Sequence, residues 1–348
     1  MTGPEILPPP GCSHCDDCYF LWHVQFAPDA ACSCGHRVDE HTKVVDLDFR
    51  EVQEELDNVL LSISEKLARE WPRSVGNHET FVVVLGMYRV SWFSYRAMRY
   101  LSATAKINFD PKRLPEFVTA MPPIARSILD AIANVVYIFE GDVTERTNEY
   151  LRRGWGEDYR HFLRDRERHG HEPAWADVLA RLEARLEEVR VELTLPVEAR
   201  DKLPRRWPNL GTMMSDKDPD RVRDPQRREL LAMLKEMYWE GFSGETHLSG
   251  PGLYRRAGLL LNESRLWDDA DRAVLDRLRT EYLMGGSELM LSLAAELEAE
   301  LQLGMAERLV RIWVRLSYHS TDMNRIYKTW VRDRLVPPMQ QVVRATPE

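Results

Sequence analysis

The chain has no cysteine beyond Cys34; all five of its thiols lie before residue 35. That excludes a disulfide framework for the body of the protein. An odd number of cysteines gathered at one end, with histidines among them, points to metal rather than to pairing and suits a reducing compartment. Long apolar runs are also missing. The longest, residues 81–88 and 128–139, fall well short of the roughly 20 residues that cross a bilayer, and the second contains Asp130. The first ten residues have neither the basic start nor the apolar stretch of a secretory leader. A cytoplasmic protein with no membrane span is the expectation. Positive charge is not in excess either. With 47 Lys and Arg against 56 Asp and Glu the net charge is -9. This argues against a chain that coats nucleic acid or an anionic membrane by bulk charge, while leaving room for local basic patches. There is no internal repeat and no low-complexity tract.

The first 45 residues read as a small zinc-ribbon-like module. Cys12, Cys15 and Cys18 are spaced C-x2-C-x2-C; Cys32, Cys34 and His36 follow as C-x-C-G-H, with His41 beyond. Two such knuckles, about a dozen residues apart, suit tetrahedral zinc, whose borderline-soft character favours thiolate and imidazole. Gly35 permits the tight turn that aims backbone amides at a metal-bound sulfur. Seven candidate ligands exceed four, so either one site selects four or two sites share the set. Cys15, Cys18, Cys32 and Cys34 are the first choice. The module carries six acids against Arg37 alone in residues 1–41, so it does not resemble a phosphate-gripping finger. A structural zinc fold, or one that meets a protein partner, fits better. Tyr19, Phe20, Trp22 and Phe26 supply a miniature core, which so short a unit needs besides its metal.

Residues 46–340 read as an all-α, multi-helix bundle. Val52, Leu56, Val59, Leu60, Ile63 and Leu67 keep helical spacing from a cap at Asp46 or Asp48. The stretch 81–105 is apolar on most sides (Val82, Val83, Val84, Leu85, Met87, Val90, Trp92 and Phe93) and is expected at the centre; β-branched Val82–Val84 would suit a strand, but the continuation through Tyr95, Met98 and Leu101 favours a helix. Pro115, Pro122 and Pro123 are expected to break the next segment, with a helix resuming over 124–139. A charged helix over 144–171 follows. Trp175, Leu179, Leu182, Leu186, Val189 and Leu193 then form a heptad seam, either a dimer contact or an ordinary seam within one chain. Residues 196–227 read as a long connection bearing Arg205, Arg206, Arg221, Arg223, Arg227 and the adjoining Arg228, either a solvated loop or an anion-binding one. A helix over 229–239 delivers the chain to a Ser/Gly/His loop. Two helices flank Gly285-Gly286, and a last one runs over 308–335.

Two features carry candidate chemistry. Arg126 and Asp130 stand four apart on a helix that is otherwise apolar nearly all round, so they share one face as an ion pair. The pair is either a structural salt bridge or the lining of a polar pocket. Tyr238, Ser243 and His247 are spaced Y-x4-S-x3-H in the loop, with Ser249 beyond. His247 could serve as a general base and Ser243 could orient a substrate, with Arg126 clamping a phosphate; the bland alternative has Ser243 and His247 capping helix ends. A rival, Arg164 with His169, matches the Arg-x4-His pattern of metal-independent helical ribonucleases, although three arginines and two histidines in that stretch make such a match cheap.

The Arg-x3-acid helix followed much later by Tyr…Ser-x3-His-x-Ser resembles an uncharacterised family of helical bacterial domains, across roughly residues 50–330. This chain has Asp130 where that family usually has Glu, which shortens the carboxylate's reach. The resemblance implies an all-helical bundle in which the Arg/acid pair and the Ser/His loop face a common pocket; it implies no reaction. The functional expectation is a zinc-binding intracellular helical protein that acts through a partner or ligand. Its contact surfaces would be the zinc module or the 175–193 helix, and a homodimer is one form this could take. The alternative is a nuclease-like or phosphate-directed hydrolase, of use in defence against foreign nucleic acid.

Overall fold

The structure, a computed structural model, describes residues 49–72, 75–107, 114–204, 207–208, 210–213, 222–239, 242, 269–317 and 321–335. The zinc-ribbon-like module, with all seven candidate ligands, lies outside the described residues, as do Ser243, His247 and Ser249. Nine helices of six residues or more organise what is described: α1 (Phe49–Arg69), α2 (His78–Ile107), α3 (Leu114–Phe139), α4 (Val143–His169), α5 (Ala176–Glu192), α6 (Pro225–Leu234), α7 (Asp269–Leu301), α8 (Ala306–Ser317) and α9 (Thr321–Ile326). α6 runs on into a π-turn at Lys235–Trp239, and α9 into another at Tyr327–Val331. No strand occurs among the described residues. The all-α multi-helix bundle expected from the sequence is the fold found.

Helix α3 is the hub, with its main contacts to α2 and α7. Ile128, Leu129, Ile132, Ala133, Val135 and Val136 are fully buried there. Residues Val118–Phe139 are long and apolar enough to cross a membrane by length and composition, and most of that stretch is buried in the bundle. Its apolarity is therefore accounted for by the core. α1 lays Leu56, Val59, Leu60, Ile63 and Leu67 into the same core, as its spacing predicted. Tyr88 of α2 donates to the Leu60 carbonyl at 2.7 Å, and Trp92 Nε1 to Asp57 at 2.8 Å, which fixes α2 against α1.

Several boundaries differ from the sequence reading. α3 does not start after the prolines but runs through Pro122 and Pro123. Each proline removes a helical donor at a cost of up to about 3 kcal/mol in an isolated helix. Burial of Met121, Ala125, Ile128 and Leu129 on both sides keeps the segment helical. Gly285 and Gly286 likewise sit inside one uninterrupted α7. A Cβ on Gly285 would stand 3.0 Å from Tyr238 Cε1, and one on Gly286 2.9 Å from Met98 Cε, so these glycines allow close packing rather than a break. α2 is not buried all round: Val82, Val90 and Phe93 are more than half exposed. In its described parts the closing segment is α8 and then α9, which runs through the π-turn into a last helical turn at Arg332–Leu335.

α4 and α5 form a hairpin beside the main bundle with a second small core. Trp155, Tyr159, Phe162 and Leu179 are buried there, and Trp175, Leu186, Val189 and Leu193 pack against them. The heptad seam is therefore used within the chain, apart from Leu182 at its edge, which is 40% exposed. Asp142 caps α4 by accepting from the Glu145 amide.

Candidate functional site

Arg126 and Asp130 do form the ion pair that their spacing predicts, Nε to Oδ1 at 3.1 Å. The two differ in setting: the Arg126 side chain is 13% exposed and that of Asp130 47%. Burial lowers the Arg126 guanidinium from its ordinary range, against the pull of Asp130. Burial likewise raises the Asp130 carboxyl, against the pull of Arg126. A third residue completes the group. The indole of Trp239 lies flat under the guanidinium, with the ring centroid 3.1 Å from Cζ. Stacking of this kind is worth about 1–2 kcal/mol when partly desolvated. It also restricts a clamp that would have to swing to reach a phosphate.

Trp239 belongs to the π-turn that ends α6. Single π-turns inside or at the end of a helix re-aim side chains and recur at functional sites. Phe242, three residues on, stacks on Tyr238 at 5.5 Å and meets Tyr282 of α7 edge-on at 6.0 Å. Ser243 is bonded to Phe242. The structure thus brings the entrance of the Ser/His loop onto the Arg126–Asp130 helix, across more than a hundred residues of sequence. Tyr238, read as a motif residue, is buried as packing against Gly285 and Phe242.

The rival pair does not converge. Arg164 and His169 are five residues apart on α4, roughly 140° around the helix. Arg164 meets His161 Nδ1 at 3.1 Å. His169 contacts Glu172 at 2.8 Å and stacks on Trp175 at 4.2 Å, which ties the α4–α5 turn together.

Sequence reading missed the most buried polar cluster described. Arg227, expected in the 196–227 connection, stands in the first turn of α6 and is buried. Asp224 and Pro225 explain the earlier start: the carboxylate caps the Gln226 and Arg227 amides, and proline occupies the first helical position. Arg227 Nη2 lies 2.6 Å from Glu296 and 2.6 Å from Glu300, and Nη1 lies 3.3 Å from Glu140. Arg334 reaches Glu296 at 3.1 Å and also pairs with Asp224. Two guanidinium groups thus serve four carboxylates. Burial works against the charge on Arg227, and the carboxylates outweigh it, leaving the guanidinium above its ordinary range. Glu296 goes up as well: complete burial, aided by Glu300, outweighs Arg227 and Arg334. The two shifts favour the charge on the arginine and oppose it on its partner. The upward shift of Glu296 governs the pair, because a carboxylate with no solvent contact loses most on desolvation. The overlooked signal was a stripe at spacing four, Glu288, Ser292, Glu296 and Glu300, in the second half of α7.

Among the described residues, no group of three or more His, Cys, Asp or Glu is arranged to hold a metal. Comparison with protein-family models, curated proteins and solved structures finds no match for this chain, so its resemblance to the helical bacterial family rests on the motif residues themselves.

Proposed function

We propose that this chain is a zinc-binding helical protein that acts by holding a ligand or partner, with its site at Arg126, Asp130 and Trp239, to which Ser243 and His247 of the motif would contribute. The observation behind this reading is the Trp239 indole stacked on Arg126. It anchors the entrance of the loop to the charged pair, while the half-exposed Asp130 keeps a carboxylate turned toward solvent. An arginine committed to both an ion pair and an aromatic face suits a preorganised recognition surface better than a mobile phosphate clamp. Zinc enters this reading through the donor chemistry of Cys15, Cys18, Cys32 and Cys34, with Cys12, His36 and His41 in reserve.

Turnover assays on the full chain, with single-stranded RNA and with nucleoside triphosphates, separate this from the hydrolase alternative. The expected result is no hydrolysis above background for the wild type. Hydrolysis by the wild type that disappears in a folded His247→Ala variant would overturn the binding reading in favour of catalysis.

A further inference from the structure

A concave surface lies away from the Arg126 pair. It is a cleft of about 940 Å³ between the end of α3, the first half of α4 and the segment at Arg223, closed on one side by Leu195 and Pro204. That size falls in the range of small-molecule sites. Its walls are charged, four carboxylates and four arginines, so the question is which charges are already committed.

Most of the acids are. Glu140 accepts the backbone N–H of Arg223 and, at 2.8 Å, that of Asp224; its other oxygen faces Arg227 at 3.3 Å. Asp142 caps α4. Glu149 is held between Arg146, at 3.2 Å, and Arg153. That accounts for three carboxylates and two of the four cleft arginines. The guanidinium groups of Arg152 and Arg223 have no carboxylate partner among the described residues, and both are exposed. Glu145 alone stands against them as an uncommitted acid. The free donors also include Thr144 and Asn148, which with Arg152 form a row at spacing four along α4. The backbone that carries Arg223 is not loose, since a nearly fully buried Glu140 side chain fastens it to the end of α3.

We infer that this cleft binds a small phosphate-bearing molecule, with Arg152 and Arg223 as the two guanidinium contacts and Asn148 and Thr144 as neutral donors. Planar guanidinium forks match phosphate oxygens, and a pair of them suits a diphosphate better than a single phosphate. The balanced but largely committed charge around them disfavours a cation, because only Glu145 remains to receive it. The site is independent of the Arg126–Asp130 pair and stands or falls separately.

The test is calorimetric titration of the full chain with pyrophosphate and, in a second arm, with ADP, at low and moderate salt. Arg152→Gln, Arg223→Gln and Glu145→Gln are compared with wild type, and thermal melts confirm that these exposed substitutions leave the fold intact. Saturable binding is expected, weakened about tenfold or more by either arginine substitution and not weakened by Glu145→Gln. A tighter ADP arm would assign part of the cleft to the nucleoside; equal arms would assign recognition to the diphosphate. No binding of either probe to wild type, or binding that both arginine variants retain, would overturn the inference.

Discussion

At the scale of single residues, the molecule concentrates its electrostatic strain in Arg227 and Glu296. The arginine neutralises more than one buried carboxylate, so removing it leaves uncompensated charge in the core. Arg227→Ala should cost about 3–5 kcal/mol of stability, read by chemical denaturation at neutral pH. Glu296→Gln behaves differently. Its folded pKa stands above the ordinary 4.5. The stability that it contributes is therefore fully present below that value and is lost as pH rises through the folded pKa. A glutamine has no proton to lose, so the variant should gain stability relative to wild type as pH climbs from about 4 to 8. Parallel pH–stability curves for the two proteins would contradict this assignment. The asymmetry between partners follows from their surroundings: the arginine has carboxylates on several sides, while the glutamate has no water.

At the scale of elements, the helix interiors were legible and the punctuation was not. α1 is the clear case: all six apolar positions read from its spacing are buried. Proline and glycine misled because their local cost is real but tertiary packing exceeds it, at Pro122-Pro123 in α3 and at Gly285-Gly286 in α7. The starts of α2 and α6 were set by caps that the hydrophobic pattern hides. Asn77 accepts from the Thr80 amide at 3.0 Å ahead of α2, and Asp224 does the same ahead of α6. Two glycines separate the roles that the residue can play. A Cβ on Gly154, mid-α4, would meet nothing within 4 Å. Gly154→Ala should therefore stabilise by about 0.5–1 kcal/mol through chain entropy and helix propensity. Gly285→Ala drives a Cβ to 3.0 Å from the Tyr238 ring and should lose stability in spite of the same helical gain. Thermal melts of the two variants, side by side, check both signs; a stabilising Gly285→Ala would show that the α7–Tyr238 contact can give.

For the molecule as a whole, the expected zinc module can be tested apart from the bundle. Among the described residues the main core cluster runs from Val52 to Leu335. Metal analysis of the purified full chain should find zinc, lost on combined Cys15→Ser, Cys18→Ser, Cys32→Ser and Cys34→Ser substitution, with the helical circular dichroism of the bundle retained. Zinc that survives those four substitutions would move the site to Cys12, His36 and His41. The candidate site was legible only in part. Sequence spacing gave the Arg126–Asp130 pair, because an ion pair at i and i+4 is a local property. It could not give Trp239 beneath the guanidinium, nor the Glu140–Arg227–Glu296 cluster, because those are contacts between distant segments. The claim that ties the molecule together is that Asp130 and His247 share one site. NMR titration of the His247 imidazole in wild type and in Asp130→Asn tests it most directly. A carboxylate within about 4–6 Å favours the imidazolium. The account predicts that removing the Asp130 charge lowers the His247 midpoint; an unchanged midpoint would contradict it.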